Sequence, residues 1–411
     1  MLSVTEALDL VRDRVLPGET SLKPLSESLG HVVAESVLSP IDSPPFDKSM
    51  MDGFAIRTED FAQGVVPLSL VGQITAGESS DSPLQSGETV QIMTGAPIPP
   101  NVDAVVPVEL SLVENGVVHL SVDPSQLRSG WNIIPRGSNM QQGTEVLSAG
   151  SSIRPQEIAL LGEIGKASLR VHHRPRVAVL ATGNELVDVG ETPGPGQIRN
   201  SNALMLAAQV ESCGGIPVVL GLARDNRDDL RAKVEAGLEC DMLCLSGGVS
   251  AGTLDLVPSV LAGAGVEPVF HKVAMKPGKP IWFGSRNDSV NGPCYVFGLP
   301  GNPVSSMVCF ELFVRTALRK FCGGNQTDVP LQNAHLKRDF QQRGDRQVWF
   351  PSTLEFEGGK AVVNPVDWKG SSDLRSTLLA NCSVVFDAGD KLYQAGELVQ
   401  VLAWSRPSFG S

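Results

Sequence analysis

The stretch Asp241-Met-Leu-Cys-Leu-Ser-Gly-Gly-Val-Ser-Ala-Gly-Thr-Leu-Asp255 constrains the fold more than any other part of the chain. Residues 242–245 have the length and composition of a buried strand. The chain then breaks into Ser246, Gly247, Gly248, Ser250, Gly252 and Thr253, and Asp255 stands just ahead of an apolar, helix-like segment. A buried strand passing through small residues into a helix is the repeating step of an α/β domain. Small residues also let a backbone approach a bulky anion, and main-chain N–H groups at a helix start can cradle phosphate. An ordinary strand-to-helix turn carries the same signature, so the stretch alone leaves both readings open.

The surrounding sequence repeats the step. Residues 177–180, 216–220, 242–245 and 295–297 read as strands, and 202–212, 228–238, 256–261 and 304–321 as helices. This alternation predicts a mainly parallel sheet, with ligands at the carboxyl ends of its strands. Upstream, 3–15 has helical apolar spacing, with Ser3 and Glu6 in capping-box register, and a second helix is expected between about 22 and 38. Pro40, Pro44 and Pro45 then force an extended loop. From Gly53 to Gly137 the pattern is short and β-like, with a hairpin expected at Asn115-Gly116. A short helix is expected over 155–165, with Pro near its start and Gly at its end. Beyond 327 the chain turns β-like again, with Gly358-Gly359 as a hairpin turn. The fold class expected is therefore α/β plus β: a multidomain chain with a central α/β domain, a β-rich insertion and a small C-terminal β domain.

A chain of 411 residues is too long for one compact core. Its 42% apolar and 19% charged residues describe a globular protein, and a formal charge of −12 argues against a general nucleic-acid binder. Any positive site must be built locally. Seven cysteines, mostly in apolar runs, read as reduced core residues. Glu6, Asp9 and Asp13 interrupt what would have to be a secretory leader, and no apolar run approaches the roughly 20 residues of a membrane span. A cytoplasmic location without membrane association is expected.

Three loops follow strands of the α/β region: Thr182-Gly183-Asn184-Glu185, the stretch after Leu245, and Leu299-Pro300-Gly301-Asn302-Pro303. Fold logic puts them on one edge, where Glu185 and Asp255 could converge with backbone N–H groups; turn chemistry is the plain alternative for each. In Lys276-Pro277-Gly278-Lys279-Pro280 two lysines flank a tight turn, an arrangement suited to phosphate or another oxyanion as well as to a solvated basic turn. No His or Cys cluster has zinc-ligand spacing. Mg²⁺ held mainly by a bound phosphate needs only one or two protein carboxylates, for which Asp255 and Glu185 are candidates and Asp52 a third.

Six motifs occur in an order that resembles the molybdopterin molybdenumtransferase family, which is related to the C-terminal domain of gephyrin. They are FDKSMMDGFA (46–55), MTGAPIP (93–99), ATGNEL (181–186), SGGVSAGTLD (246–255), KPGKP (276–280) and GLPGNPVS (298–305). The similarity covers nearly the whole chain and is weakest after residue 327. The resemblance implies an elongated homodimer. Family members take adenylylated molybdopterin, break its phosphoanhydride in a Mg²⁺- and molybdate-dependent step, release AMP and leave the metal on the dithiolene, and the resemblance implies the same here.

It further implies a discontinuous layout. Residues 1–14 and 176–326 would form the α/β molybdopterin-binding domain, and 15–42 with 140–175 a linking domain. Residues 43–139 would form the β-rich insertion, serving the partner subunit's site, and 327–411 the C-terminal β-barrel-like domain. By motif, Asp255, Lys276, Lys279 and Glu185 are the catalytic candidates, with Asp255 and Glu185 also on the metal. Asp52, Thr94, Asp225, Gly247, Gly248 and Lys272 are candidates for substrate binding, and Pro300 and Pro303 shape the neighbouring loop. Ser250, Ser305, Arg346 and Ser371 are candidates for oxyanion contacts.

A molybdopterin adenylyltransferase is the implied upstream partner, and molybdoenzyme-maturation proteins the downstream ones. The chain departs from the family pattern in having Arg136-Gly137-Ser138-Asn139 where Arg-Gly-Glu-Asp is common, and Asn184 and Asn200 where Asp is usual. An amide can hydrogen-bond but cannot offset Mg²⁺ charge. A gephyrin-like scaffold or cofactor-carrying protein without catalysis is thus the alternative to the enzyme. The sequence does not separate molybdate from tungstate.

Overall fold

The computed structural model describes residues 1–64, 66–78, 81–123, 126–224, 226–248, 256–288 and 292–404. The chain divides into two compact units, one of Met1–Glu35, Ala149–Ile158 and Ala167–Ser411, the other of Ser36–Ser148 and Ala159–Lys166.

The first unit is built on a six-stranded sheet. Its strands lie in the order Ile216–Ala223, Arg176–Thr182, Met242–Ser246, Gly292–Leu299, Trp282–Asp288 and Glu267–His271. The first four are parallel and the last two join antiparallel. Alternate residues of Arg176–Thr182 enter different cores: Val177, Val179 and Ala181 face one, Ala178 and Leu180 the other. Both faces are covered, as a parallel sheet requires.

The helix Val4–Arg14 is closed by the Ser3–Glu6 capping box, and its Val4, Ala7, Leu8 and Val11 are buried. Each of the three larger side chains contributes about 1.5–3 kcal/mol by leaving water. The segment read as one helix over 304–321 is Pro303–Cys309, a π-helical turn Phe310–Val314 and Arg315–Phe321. The expected helix over 22–38 does not form. Thr20–Pro24 is instead a strand paired antiparallel with Ser168–His172, followed by a single 3₁₀ turn, Leu25–Glu27. Leu29 is exposed while Val33 is fully buried, so the apparent apolar stripe was never one face. Pro24 and the left-handed Gly30 (φ 75°) block helix propagation.

The C-terminal strands Leu331–Leu336, Gln347–Glu357, Lys360–Pro365, Cys382–Phe386 and Leu398–Ala403 close into a barrel, because Gln347–Glu357 pairs with both Lys360–Pro365 and Cys382–Phe386. The short strand Met275–Lys276 adds to the end of Gln347–Glu357.

The second unit holds another six-stranded sheet, ordered Ala104–Pro107, Gly53–Ile56, Glu88–Ile92, Leu68–Ile74, Val117–Leu120 and Ser111–Glu114. The last two form the expected hairpin, with Asn115 (φ 52°) and Gly116 (φ 77°) both left-handed in the turn. Among the described residues no helix is long and apolar enough to cross a membrane.

Candidate active site

In the first unit, register sets the site. Ala181 pairs with Ser246, and Ser246 with Leu299, so three strands end level and their loops leave from one edge. A cavity of about 730 Å³ opens there, lined by Thr182, Glu185, Ser246, Gly247, Gly248, Pro300, Gly301, Asn302 and Pro303 among others. Gly247 (φ 96°) and Gly248 (φ 65°) are left-handed. A Cβ on Gly247 would lie 2.6 Å from the Thr182 carbonyl, and one on Gly248 2.5 Å from Val257 Cγ2. Only glycine brings this backbone so close to its neighbours.

Asn202 fastens the loops together. Its Nδ2 donates to Ser246 Oγ at 2.8 Å and to the Gly301 carbonyl at 2.7 Å. Thr182 is 4% exposed, and its Oγ1 has no partner among the described residues. Glu185 stands exposed on the wall. Asn200, one of the family departures, caps the helix Ser201–Ser212 by accepting from the Ala203 N–H at 3.2 Å. An amide performs that task as well as a carboxylate.

Pro280, Pro300 and Asn302 also line a second cavity, of about 420 Å³, together with Lys276, Lys279, Ser305, Arg346, Lys369 and Ser371. Among the described residues four cations line it and no carboxylate does. Lys276 stands opposite Val348, two residues beyond Arg346 on the paired strand, and Arg346 Nη1 donates to the Met275 carbonyl at 3.3 Å. Asp345 approaches Arg346 at 3.8 Å but is 94% exposed, so solvent screens that pair. Between the lysines, Gly278 (φ 106°) packs where a Cβ would lie 2.5 Å from Cys309 Sγ. Ser371 is held from the far side: its carbonyl accepts from Val304 N and its Oγ from Asn302 Nδ2, both at 3.0 Å.

In the second unit, Asp52 Oδ1 accepts from Thr94 N and Thr94 Oγ1, both at 2.7 Å. These bonds, the backbone one first, hold the Asp52 carboxyl below its usual range. Gly53 follows with no room for a side chain, since a Cβ would lie 2.0 Å from the Val106 carbonyl. Two of the sequence motifs thus meet in one exposed corner.

The structure places Glu185, Gly247, Gly248, Pro300 and Pro303 on the first cavity and Lys276, Lys279, Pro300, Ser305, Arg346 and Ser371 on the second. Lys272 lines neither; it occupies a left-handed turn (φ 73°) whose N–H donates to Ile281. Asp225, Ser250 and Asp255 lie outside the described residues. Thr182 heads a loop that the sequence reading singled out, whereas that reading missed Asn202, Trp368 and Lys369. An Asn two residues beyond a helix cap was the one available signal for Asn202, and nothing local marked the other two.

Among the described residues no group of three or more His, Cys, Asp or Glu is arranged to hold a metal. A phosphate-held Mg²⁺ needs only one or two protein carboxylates, and Glu185 gives one, exposed on the cavity wall. The cysteines offer no soft-metal site of this kind, since all seven are free and mostly buried, and burial pushes the Cys244 thiol up to about 12.

Comparison with known proteins bears on this geometry. Residues 2–165 match the family model for the MoeA N-terminal region (domain I and II), 178–320 that of a probable molybdopterin binding domain, and 333–404 the MoeA C-terminal region (domain IV). The molybdopterin molybdenumtransferase of Bacillus subtilis (strain 168) is 35% identical over 408 residues, covering 98% of this chain and 94% of that one. The enzyme of the same name from Haemophilus influenzae is 33% identical, with 96% and 97% coverage. A crystal structure of a molybdopterin biosynthesis MoeA protein from Pyrococcus horikosii superposes with a TM-score of 0.83 at 30% identity, covering 99% of this chain and all (100%) of that one.

Proposed function

Because this chain belongs to the molybdopterin molybdenumtransferase family, we propose that it inserts molybdenum into adenylylated molybdopterin with release of AMP, late in molybdenum cofactor biosynthesis. The observation that carries the reading is the meeting of two unlike cavities at Pro280, Pro300 and Asn302. One is Gly-rich and bears Glu185; the other is lined by Lys276, Lys279, Lys369 and Arg346 with no carboxylate among the described residues. A phosphoanhydride and an oxyanion must be brought side by side for this reaction, and each cavity suits one of them.

The chain's own residues do little covalent chemistry. Gly247 and Gly248 admit the phosphoanhydride close to the backbone, and Asn202 keeps their loop and the Pro300–Pro303 loop in one arrangement. Lys276, Lys279 and Arg346 neutralise molybdate, the second substrate, while Ser305 and Ser371 offer hydroxyls for its oxygens. Positioning and charge neutralisation of this kind are the main sources of rate in phosphoryl chemistry. Glu185 and Asp255 would hold Mg²⁺, which would supply charge neutralisation to the phosphoanhydride.

The protein works in the cytoplasm as a homodimer, and the Asp52–Thr94 corner serves the partner subunit's site. A molybdopterin adenylyltransferase supplies the substrate and molybdoenzyme-maturation proteins receive the product. Purified protein given adenylylated molybdopterin and Mg²⁺ releases AMP on addition of molybdate; tungstate in a parallel reaction identifies the preferred oxyanion. Pterin binding without AMP release, accompanied by capture of a stable peptide partner, would instead support a gephyrin-like scaffold.

A further inference from the structure

The C-terminal barrel meets the α/β core through Trp349, Val385 and Leu402, which are buried in one cluster with the sheet and its helices. Such apolar contact is non-directional: it brings the two parts together without fixing their register. Register matters here, because the basic cavity takes Lys279 and Ser305 from the α/β part and Arg346, Lys369 and Ser371 from the barrel region. Directional ties at the cavity run from Arg346 to Met275 and from Asn302 and Val304 to Ser371. Another lies outside it. Arg315 Nη1 donates at 3.0 Å to the carbonyl of Ala403, the last residue of the barrel strand Leu398–Ala403.

Arg315 is held by an irregular helix. Its N–H closes the π turn Phe310–Val314 on the Phe310 carbonyl, five residues back. Within that turn Glu311 is 3% exposed, and its Oε2 accepts from Arg315 Nη1 at 3.0 Å. Its Oε1 accepts from Gln209 Nε2, also at 3.0 Å. Gln209 lies about two turns beyond Asn202 on the helix Ser201–Ser212, and Asn202 fastens the loops of the Gly-rich cavity. Glu311 therefore joins the helix that orders one cavity to the barrel that walls the other.

A buried ion pair is a poor source of stability, since apolar residues of similar volume are often as stable or more so. What apolar residues lack is direction. The π turn is rare in helices and recurs at functional sites. Glu311, Arg315 and Ala403 line neither cavity, so they act on it only through the elements they join. We propose that Glu311 and Arg315 are positioning residues for the oxyanion: through Ala403 they hold the barrel wall of the basic cavity in register with the wall that carries Lys279 and Ser305, and Gln209 steadies Glu311 from the other side. That the oxyanion is molybdate rests on the reading given under Proposed function; the register does not.

The test uses Glu311→Leu/Arg315→Met in the full chain, which removes both charges together and leaves none buried and unpaired. Its melting temperature should stay within about 3 °C of wild type. Hydrogen exchange at the Val304 amide, which donates to Ser371, should quicken about tenfold. Calorimetry should show molybdate bound about tenfold more weakly, with AMP affinity within about twofold. Arg315→Lys, which can still donate to both Glu311 and Ala403, should return molybdate affinity to within about threefold of wild type. Gln209→Leu keeps the ion pair and should weaken molybdate about threefold; it decides the matter if the double variant does not fold. The proposal is overturned if the folded double variant keeps wild-type molybdate affinity, if its stability, AMP binding and molybdate binding all fall together, or, with the double variant unfolded, if Gln209→Leu binds molybdate as wild type does. Wild type that binds no molybdate removes the oxyanion reading, and Val304 exchange alone then decides the register. Wild type that binds molybdate but releases no AMP, with binding still weakened in the variants, removes the activity and keeps the positioning pair.

Discussion

Arg346 Nη1 donates to the Met275 carbonyl at 3.3 Å, which ties the guanidinium to the residue immediately before Lys276. Two cations that should repel are thus held on one wall by main-chain pairing between Met275–Lys276 and Gln347–Val348. An acidic chain can concentrate positive charge only where backbone geometry imposes it, and the basic cavity is such a place.

Arg346→Met therefore removes a charge and also loosens the segment that presents Lys276. Molybdate affinity falls by about tenfold or more, in keeping with the loss of a charge-assisted contact. Arg346→Lys retains the charge without the planar fork and falls between the two. Calorimetry with molybdate at two salt concentrations measures this; equal affinities in all three proteins would exclude Arg346 from the oxyanion site.

Gly278 separates the lysines, and its substitution tests whether their spacing is built in. With φ at 106° and a Cβ 2.5 Å from Cys309 Sγ, Gly278→Ala must displace the turn or the helix behind it. The expected cost is about 1–3 kcal/mol in urea unfolding. A variant as stable as wild type would mean that the turn relaxes freely.

Thr182 separates stability from function. Its Oγ1 is buried without a partner, so Thr182→Val removes an unsatisfied group at nearly constant volume. Unfolding free energy is expected to be unchanged or higher by about 1–2 kcal/mol, while AMP release slows. A variant that is destabilised and fully active would mean the hydroxyl serves only the fold.

Much of this was legible in the sequence because parallel strands advertise themselves as unbroken apolar runs, as 177–180 and 242–245 do, and because glycines in left-handed turns leave no substitute. The helix over 22–38 was misread because Leu25, Leu29, Val32 and Val33 have helical spacing. Only the partner strand Ser168–His172, far along the chain, pulls the segment into a sheet. The strands Glu267–His271 and Trp282–Asp288 escaped notice for a related reason: polar and small residues interrupt them, and their pairing is antiparallel beside four parallel strands. Lys272, Lys276 and Lys279 look alike in sequence, yet the turn at Lys272 leaves it off both cavity walls. Asn202 owes its position to Gly301, 99 residues along the chain, and Trp368 to Phe350 on the strand Gln347–Glu357, which no local pattern records.

Asp52 makes a prediction about pH. Bonds from Thr94 N and Oγ1 lower its folded pKa beneath the unfolded value of about 3.9. The tie is therefore fully present above that value and is lost as pH falls through the folded pKa. A carbon-detected NMR titration should place the Asp52 midpoint below about 3.9, with Thr94→Val raising it only in part because the backbone N–H remains. A midpoint at or above the unfolded value would contradict the hydrogen-bonded corner.

The account's central claim is that the Gly-rich and basic cavities act together on one substrate, and AMP release measures this most directly. With adenylylated molybdopterin and Mg²⁺ supplied, wild type should release AMP only when molybdate is added. Lys276→Met/Lys279→Met should slow that release by about a hundredfold while the pterin still binds. AMP formation that is absent in wild type, indifferent to molybdate, or unchanged in the double variant would contradict it.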